Sequence, residues 1–265
     1  MTSFPILAAR EGFHVPGAES FYREPFIDLH VFGLNLGINR TVVVLFLASL
    51  LTLGVLALGF RNPKLVPRGI QNVAEFIVDF VRDKVIMPTM GKKGLPYLPF
   101  LTTLFLFVLF CNWFGVIPGL NFSATSRIGI PLALSICTWF VFVIAGIRTH
   151  GGFGYLKAAL VPSGVPVPIL LLLVPIEFLT VFILRPLTLT IRLTANMIAG
   201  HMLLTMFFLG TAYLLERGST AAFGVGSLIM GTAFIGFEIF VGALQAFIFA
   251  ILTAVYIQSS LQEAH

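Results

Sequence analysis

The chain has 265 residues, of which 58% are hydrophobic and only 10% charged, with a mean hydropathy of +1.01. Soluble domains carry about a quarter charged residues, so an ordinary soluble globular protein is excluded. The net charge of +5 comes mostly from one loop and gives no reason to invoke nucleic acid. These features predict an all-α, polytopic membrane protein forming a single membrane domain.

Residues 1–40 read as an extracytoplasmic tail without a cleavable signal, because they lack a basic start and a compact apolar core. A helix crossing a hydrocarbon core of roughly 30 Å needs about 20 apolar residues, and the first such run covers 41–60. Between it and the next span lie Arg61, Lys64, Arg68, Arg82, Lys84, Lys92 and Lys93, a surplus that marks a cytoplasmic loop. Within that loop, over 67–88, Ile70, Val73, Ile77, Phe80 and Val81 recur at helical spacing. That spacing predicts an amphipathic helix on the cytoplasmic membrane surface, with Glu75, Asp79, Arg82, Asp83 and Lys84 facing headgroups, a partner or simply solvent.

Spans follow at 98–118 and 130–147. Arg148 and Lys157 make the next connection cytoplasmic as well, consistent with two crossings between the basic loops. "GGFG", 151–154, reads as a flexible loop. The runs 169–215 and 221–260 are too long for one perpendicular crossing, and neither contains a polar turn that would make two crossings easy. Each is therefore counted as one long, tilted or kinked helix, giving five crossings with the C-terminus inside and the N-terminus outside.

Common site types are missing. Cys111 and Cys137 sit in apolar spans, where a buried reduced thiol is ordinary, so neither a disulfide nor a metal is expected. His14, His30, His150 and His265 are scattered without ligand spacing. No phosphate loop, dinucleotide fingerprint or nucleophile elbow occurs, and no cofactor is expected. What stands out is a set of ionisable and polar residues within the last two helices: Glu177, Arg185, Arg192, Asn196, His201, Glu238 and Gln245. Such groups usually face a protein interior or a water-filled cavity and mark an ion path, although structural pairing or, for Arg185 beside Pro186, snorkelling is the competing account.

If the last two helices form a hairpin turning at "ERGST", 216–220, residues equidistant from the turn share a depth. Arg192 with Gln245, and His201 with Glu238, both centre near position 219. Two polar layers therefore face each other, separated by about 13 Å along the helix, with Glu177 about 22 Å from Arg192 toward the cytoplasm. The order suggests a split proton path, with His201 and Glu238 at an outer entrance, Arg192 as a central barrier and Glu177 at an inner exit. Histidine titrates near neutrality, whereas arginine does not deprotonate. Arg185, Arg192 and Asn196 lie nearly on one face, and His201 lies opposite Arg192.

"RPLTLTIRLTANMIAGH" and "GALQAFIFAILTAVYI" resemble the two signatures of subunit a of the F-type ATP synthase, and similarity extends through "RNPKLVPRGIQNVAEF" and "CNWFGVIPG" over nearly the whole chain. The resemblance implies a non-catalytic stator subunit in which the residue matching Arg192 stands beside the c-ring, and Asn196, His201, Glu238 and Gln245 match polar positions of the proton path. It further implies b-type peripheral stalk subunits, membrane lipids and protons as partners, in a bacterial plasma membrane, with N-terminal and loop sequences of actinobacterial style, or an organellar inner membrane. The long hairpin would face the c-ring. Protons would enter past His201 and Glu238, ride a ring carboxylate through lipid and leave near Glu177. Two departures are visible: His201 and Glu238 exchange the acid and imidazole found in some bacterial members, and Gly115 replaces an acidic residue three places after Asn112, which leaves the role of that span open. Two other readings are a secondary transporter using Arg185 and Arg192 as an anion site, which such folds usually build from repeats not visible here, and a structural membrane anchor.

Overall fold

The computed structural model describes residues 30–31, 34–35, 40–117, 124–161, 167–216 and 220–262. Apart from a two-residue antiparallel pairing of His30–Val31 with Leu34–Asn35 and short connections, the longest over 61–69, the described chain is helical. It runs as α1 (Arg40–Phe60), α2 (Ile70–Val81), α3 (Met87–Thr89), α4 (Leu98–Val116), α5 (Gly129–His150), α6 (Gly152–Leu160), α7 (Val167–Leu179), α8 (Arg185–Glu216) and α9 (Ala221–Leu261). Five helical stretches are long and apolar enough to cross a membrane: α1, Gly91–Val116, α5, Pro168–Glu216 and α9. The protein is an all-α polytopic membrane protein.

The two long runs are each continuous. Pro168–Glu216 is 49 residues and α9 is 41, about 74 and 62 Å at 1.5 Å per residue. Between α7 and α8 the ladder widens into a π-turn, Thr180–Leu184, closed by Arg185 N–H donating to the Thr180 carbonyl. A second π-turn, Arg82–Ile86, joins α2 to α3. Both end two residues before a proline, Pro186 and Pro88. Proline has no N–H and its ring collides with the carbonyl four residues back, so the preceding turn widens and the helix continues.

Lipid leaves no hydrophobic drive for helices to associate, so close packing and small residues hold the bundle together. One side of α1 buries Thr41, Val44, Ala48, Thr52 and Gly59, and a Cβ at Gly59 would overlap that of Ala74 on α2. The surface helix expected over 67–88 therefore starts at Ile70, reaches Thr89 and packs against α1. Its apolar residues divide. Val81, Val85 and Ile86 are buried and the Phe80 ring lies 5.7 Å from those of Phe105 on α4 and Phe247 on α9, whereas Ile70, Val73 and Phe76 are exposed. Arg82 pairs with Asp79 at 3.0 Å and Asp83 at 2.9 Å. These exposed pairs contribute little stability.

Two expectations are corrected. "GGFG" is the end of a turn and the start of α6, because Gly151, at φ +74°, reverses the chain after α5 and buried Tyr155 docks on Gly146. Cys137 is exposed, whereas Cys111 is buried: an apolar span need not be covered by protein when lipid solvates its outer face. Of the histidines set aside as surface residues, His150 ends α5 half-buried, and His14 and His265 lie outside the described residues. A Cβ at Gly146 would overlap the Tyr155 ring and come 3.2 Å from the Ser260 carbonyl oxygen. Gly146→Leu is expected to destabilise the packing by a few kcal/mol, read as a lower melting temperature of the purified protein and partly restored by Tyr155→Ala.

Candidate functional site

The α8/α9 hairpin has the register expected from position 219. A Cβ at Gly200 would come 2.7 Å from Glu238 Oε1, one at Gly231 would come 3.2 Å from Phe207 Cβ, and one at Gly224 would come 2.9 Å from Leu215. All three contacts centre on 219 to within a residue. On α9, Gly224, Gly231, Glu238 and Gln245 are buried at seven-residue intervals, which places them in one seam. On α8, Met197, Leu204 and Thr211 repeat the same interval. Glycines let the helices approach closely near the turn, and the seam becomes polar further along.

In this register Gln245 is level with Leu193, one residue from Arg192. Arg192 itself is exposed on α8, while Leu193 and Thr194 are buried and Asn196 is half-buried. Its guanidinium side is therefore separate from the side packed against α9. Gln245 Nε2 and Thr194 Oγ1 are both buried without a hydrogen-bond partner among the described residues. The second layer is built around Gly200: Glu238 is buried with its Oε1 against this glycine, and its Oε2 has no described partner. The next residue, His201, is half-buried. Buried polar atoms seldom go unsatisfied, and here three such atoms line one helix seam.

The remaining candidates separate into distinct places. Arg185 lies beyond the seam toward the end of α9, where it donates to Ser259 Oγ at 3.4 Å and sits 5.2 Å from the Tyr256 ring centre and 5.9 Å from that of Phe142. Cation–π contact to two rings makes it a packing cation. Burial pushes the pKa of the nearby Tyr155 phenol up, partly offset by the Arg185 charge, so the phenol stays protonated. Glu177 is half-buried on α7, before the π-turn and away from both seam layers. Asn112 is fully buried on α4, where its Nδ2 donates to the Gly242 carbonyl at 3.0 Å and its Oδ1 accepts from Thr125 Oγ1 at 3.0 Å. Next to it, Trp113 Nε1 donates to the Ile239 carbonyl at 3.1 Å. Thus α4 is tied to α9 between the Glu238 and Gln245 positions, where Gly115 supplies no charge.

Sequence reasoning missed Gly200, although its distance from the turn matches that of Glu238 and the hairpin count would have found it. It also missed Thr125 and the 2.6 Å hydroxyl contact between Ser135 on α5 and Thr190 on α8, which have no sequence signal because each depends on how the chain folds back on itself, over 13 residues in one case and 55 in the other. Gly200→Ala is expected to crowd the Glu238 carboxylate and lower the melting temperature of the purified protein. Adding Glu238→Asp, one methylene shorter, should restore part of it; an unchanged melting temperature for Gly200→Ala would show that the carboxylate has room to move.

Residues 42–258 match the family model described as ATP synthase A chain, and the chain is 45% identical over 98% of its length to ATP synthase subunit a of Rhodococcus erythropolis, covering 94% of that protein. The chain belongs to the ATP synthase subunit a family. Two further subunit a proteins show the same breadth of similarity: that of Frankia alni is 44% identical over 96% of this chain and 87% of its own, and that of Streptomyces lividans 38% over 96% and 90%. The family match takes in α1 through most of α9, so both seam layers and the Asn112 tether lie inside the region shared with subunit a.

Proposed function

We propose that this chain is the stator subunit that carries protons through the membrane sector of a rotary ATP synthase, by two offset half-channels that serve the carboxylates of a c-ring. The observation that carries the reading is the division of the α8/α9 hairpin: Arg192 on the exposed side of α8, and Glu238 and Gln245 buried in the seam with polar atoms lacking partners among the described residues. Water threading the seam would satisfy those atoms and bring protons past His201 and Glu238. Arg192, permanently charged, holds an arriving ring carboxylate by attraction and stops a continuous proton wire. Asn196, one turn further along α8, and Gln245, level with the neighbouring Leu193, complete the polar lining.

The released proton leaves on the cytoplasmic side near Glu177. The surplus of basic residues in two connections favours an N-terminus outside and a C-terminus inside a bacterial plasma membrane, and in this reading b-type stalk subunits hold the stator in place. ATP chemistry belongs to other subunits. In a background with Cys111→Ala and Cys137→Ser, a membrane-impermeant thiol reagent is expected to reach His201→Cys and Glu238→Cys from the outer side and Glu177→Cys from the cytoplasmic side. Labelling of all three from one side would refute the split path.

A further inference from the structure

The corner where α1 turns into α2 contains a pocket of about 220 Å³, lined in part by Leu58, Arg61, Lys64, Arg68, Ile70 and Gln71. Three of these are cations, and none of them forms an ion pair among the described residues, whose ion pairs belong to Arg82. The loop carrying them is pinned. Buried Gln71 accepts from the Lys64 N–H at 3.1 Å through Oε1 and donates from Nε2 to the Lys64 carbonyl at 2.9 Å. The same Nε2 donates to Glu75 Oε1 at 2.7 Å, so the carboxylate at this corner is already engaged, and even with it counted the cations are in excess.

The pocket also has an apolar side. Leu58, Phe60 and Ile70 are exposed beside it, Val66 is largely exposed, and Leu65 is fully so. Because α1 is a membrane-spanning helix of 21 residues, its last turn lies at headgroup level. A cationic pocket with apolar walls at that depth has the chemistry of a lipid site: guanidinium forks match phosphate oxygens, Lys64 adds a point charge, and Leu58 and Ile70 continue the pocket along acyl chains.

We propose that this pocket binds the phosphate headgroup of an anionic phospholipid. The lipid would cover the cations at the α1/α2 corner and anchor the surface helix to the bilayer, a role separate from proton transfer. A free phosphate would use the same cations but gain nothing from the apolar walls. Near a membrane surface each cation contributes about fivefold in affinity, so three contribute roughly a hundredfold, with a strong dependence on salt.

The test uses the assembled complex containing this chain, purified in detergent, stripped of lipid and titrated with phosphatidylglycerol or phosphatidylcholine while native mass spectrometry counts bound lipid. Wild type is expected to bind phosphatidylglycerol selectively. The triple variant Arg61→Gln, Lys64→Gln, Arg68→Gln should lose this binding roughly a hundredfold, and the charge-matched control Lys84→Gln, Lys92→Gln, Lys93→Gln should keep it. Gln71→Leu, which retains all three cations but unpins the loop, should weaken it as well; this variant and Arg68→Gln alone carry the test if the triple variant does not assemble. Inorganic phosphate at equal concentration is expected not to compete. Equal competition by phosphate, equal binding of phosphatidylcholine, unchanged binding in the triple variant, or loss of another subunit with lipid binding intact would each overturn the proposal, the last by assigning the cations to a protein partner.

Discussion

Inverted membrane vesicles carrying Arg192→Ala are expected to lose ATP-driven acidification, with the complex still assembled. Arg192 is exposed on α8, so its truncation leaves no hole in the packed seam and should not unfold the hairpin. What disappears is a fixed positive charge that, on the proposed mechanism, faces the c-ring. At about 4 Å and an effective dielectric constant near 20, opposite unit charges attract by about 4 kcal/mol, close to a thousandfold in rate if the contact acts only in the transfer step. Arg192→Lys keeps the charge but loses the guanidinium fork and is readily neutralised when desolvated, so it should recover little. After removal of the soluble catalytic sector, the alanine variant should leak more protons than wild type, since on the proposed mechanism Arg192 is the barrier between the two paths. Normal pumping by an assembled alanine variant would sink the rotary mechanism proposed for this chain.

Asn112→Leu is expected to cost the bundle more than any other single polar change. Asn112 is fully buried and bridges α4, α9 and Thr125 with two hydrogen bonds of 3.0 Å. Leucine matches its size approximately but removes both the donor to the Gly242 carbonyl and the acceptor for the Thr125 hydroxyl, and breaking a buried hydrogen bond by removing one partner costs about 1–3 kcal/mol. The Cβ of residue 112 also lies 3.3 Å from the Cβ position at Gly242, so a branched side chain has little room to turn away. The total, roughly 2–5 kcal/mol, is a large share of a typical folding free energy. It should appear as a reduced amount of assembled complex and a lower melting temperature. Thr125→Val removes one partner and should cost less, and the double variant should cost less than the sum; full additivity would mean that the two side chains act independently.

How far the sequence reaches can be judged on particular elements. Hydropathy and length placed α1, α4, α5 and the two long helices to within a few residues, because a bilayer demands apolar runs of a definite length. The same rule could not tell a lipid-facing residue from a buried one, which is why Cys137 was assigned to the interior and is exposed. The antiparallel count was legible because a hairpin with a short turn has a single register, and the contact of Gly200 with Glu238 has that register. "GGFG" was misread since glycine disfavours helices locally, while the docking of Tyr155 on Gly146, a tertiary contact, stabilises α6.

The chain by itself therefore determined the membrane class, the number of spanning helices, the hairpin register and the family resemblance, all of which follow from local composition or fixed spacing along a helix. Only the tertiary structure decided that Asn112 is a tether to α9, that Arg185 packs between Phe142 and Tyr256, and that Arg61, Lys64 and Arg68 share one pocket. Those facts depend on which helix faces meet. In lipid, where apolar residues suit the core and the bilayer equally well, close fit and buried hydrogen bonds choose the meeting faces, and neither is written in the pattern of hydrophobicity.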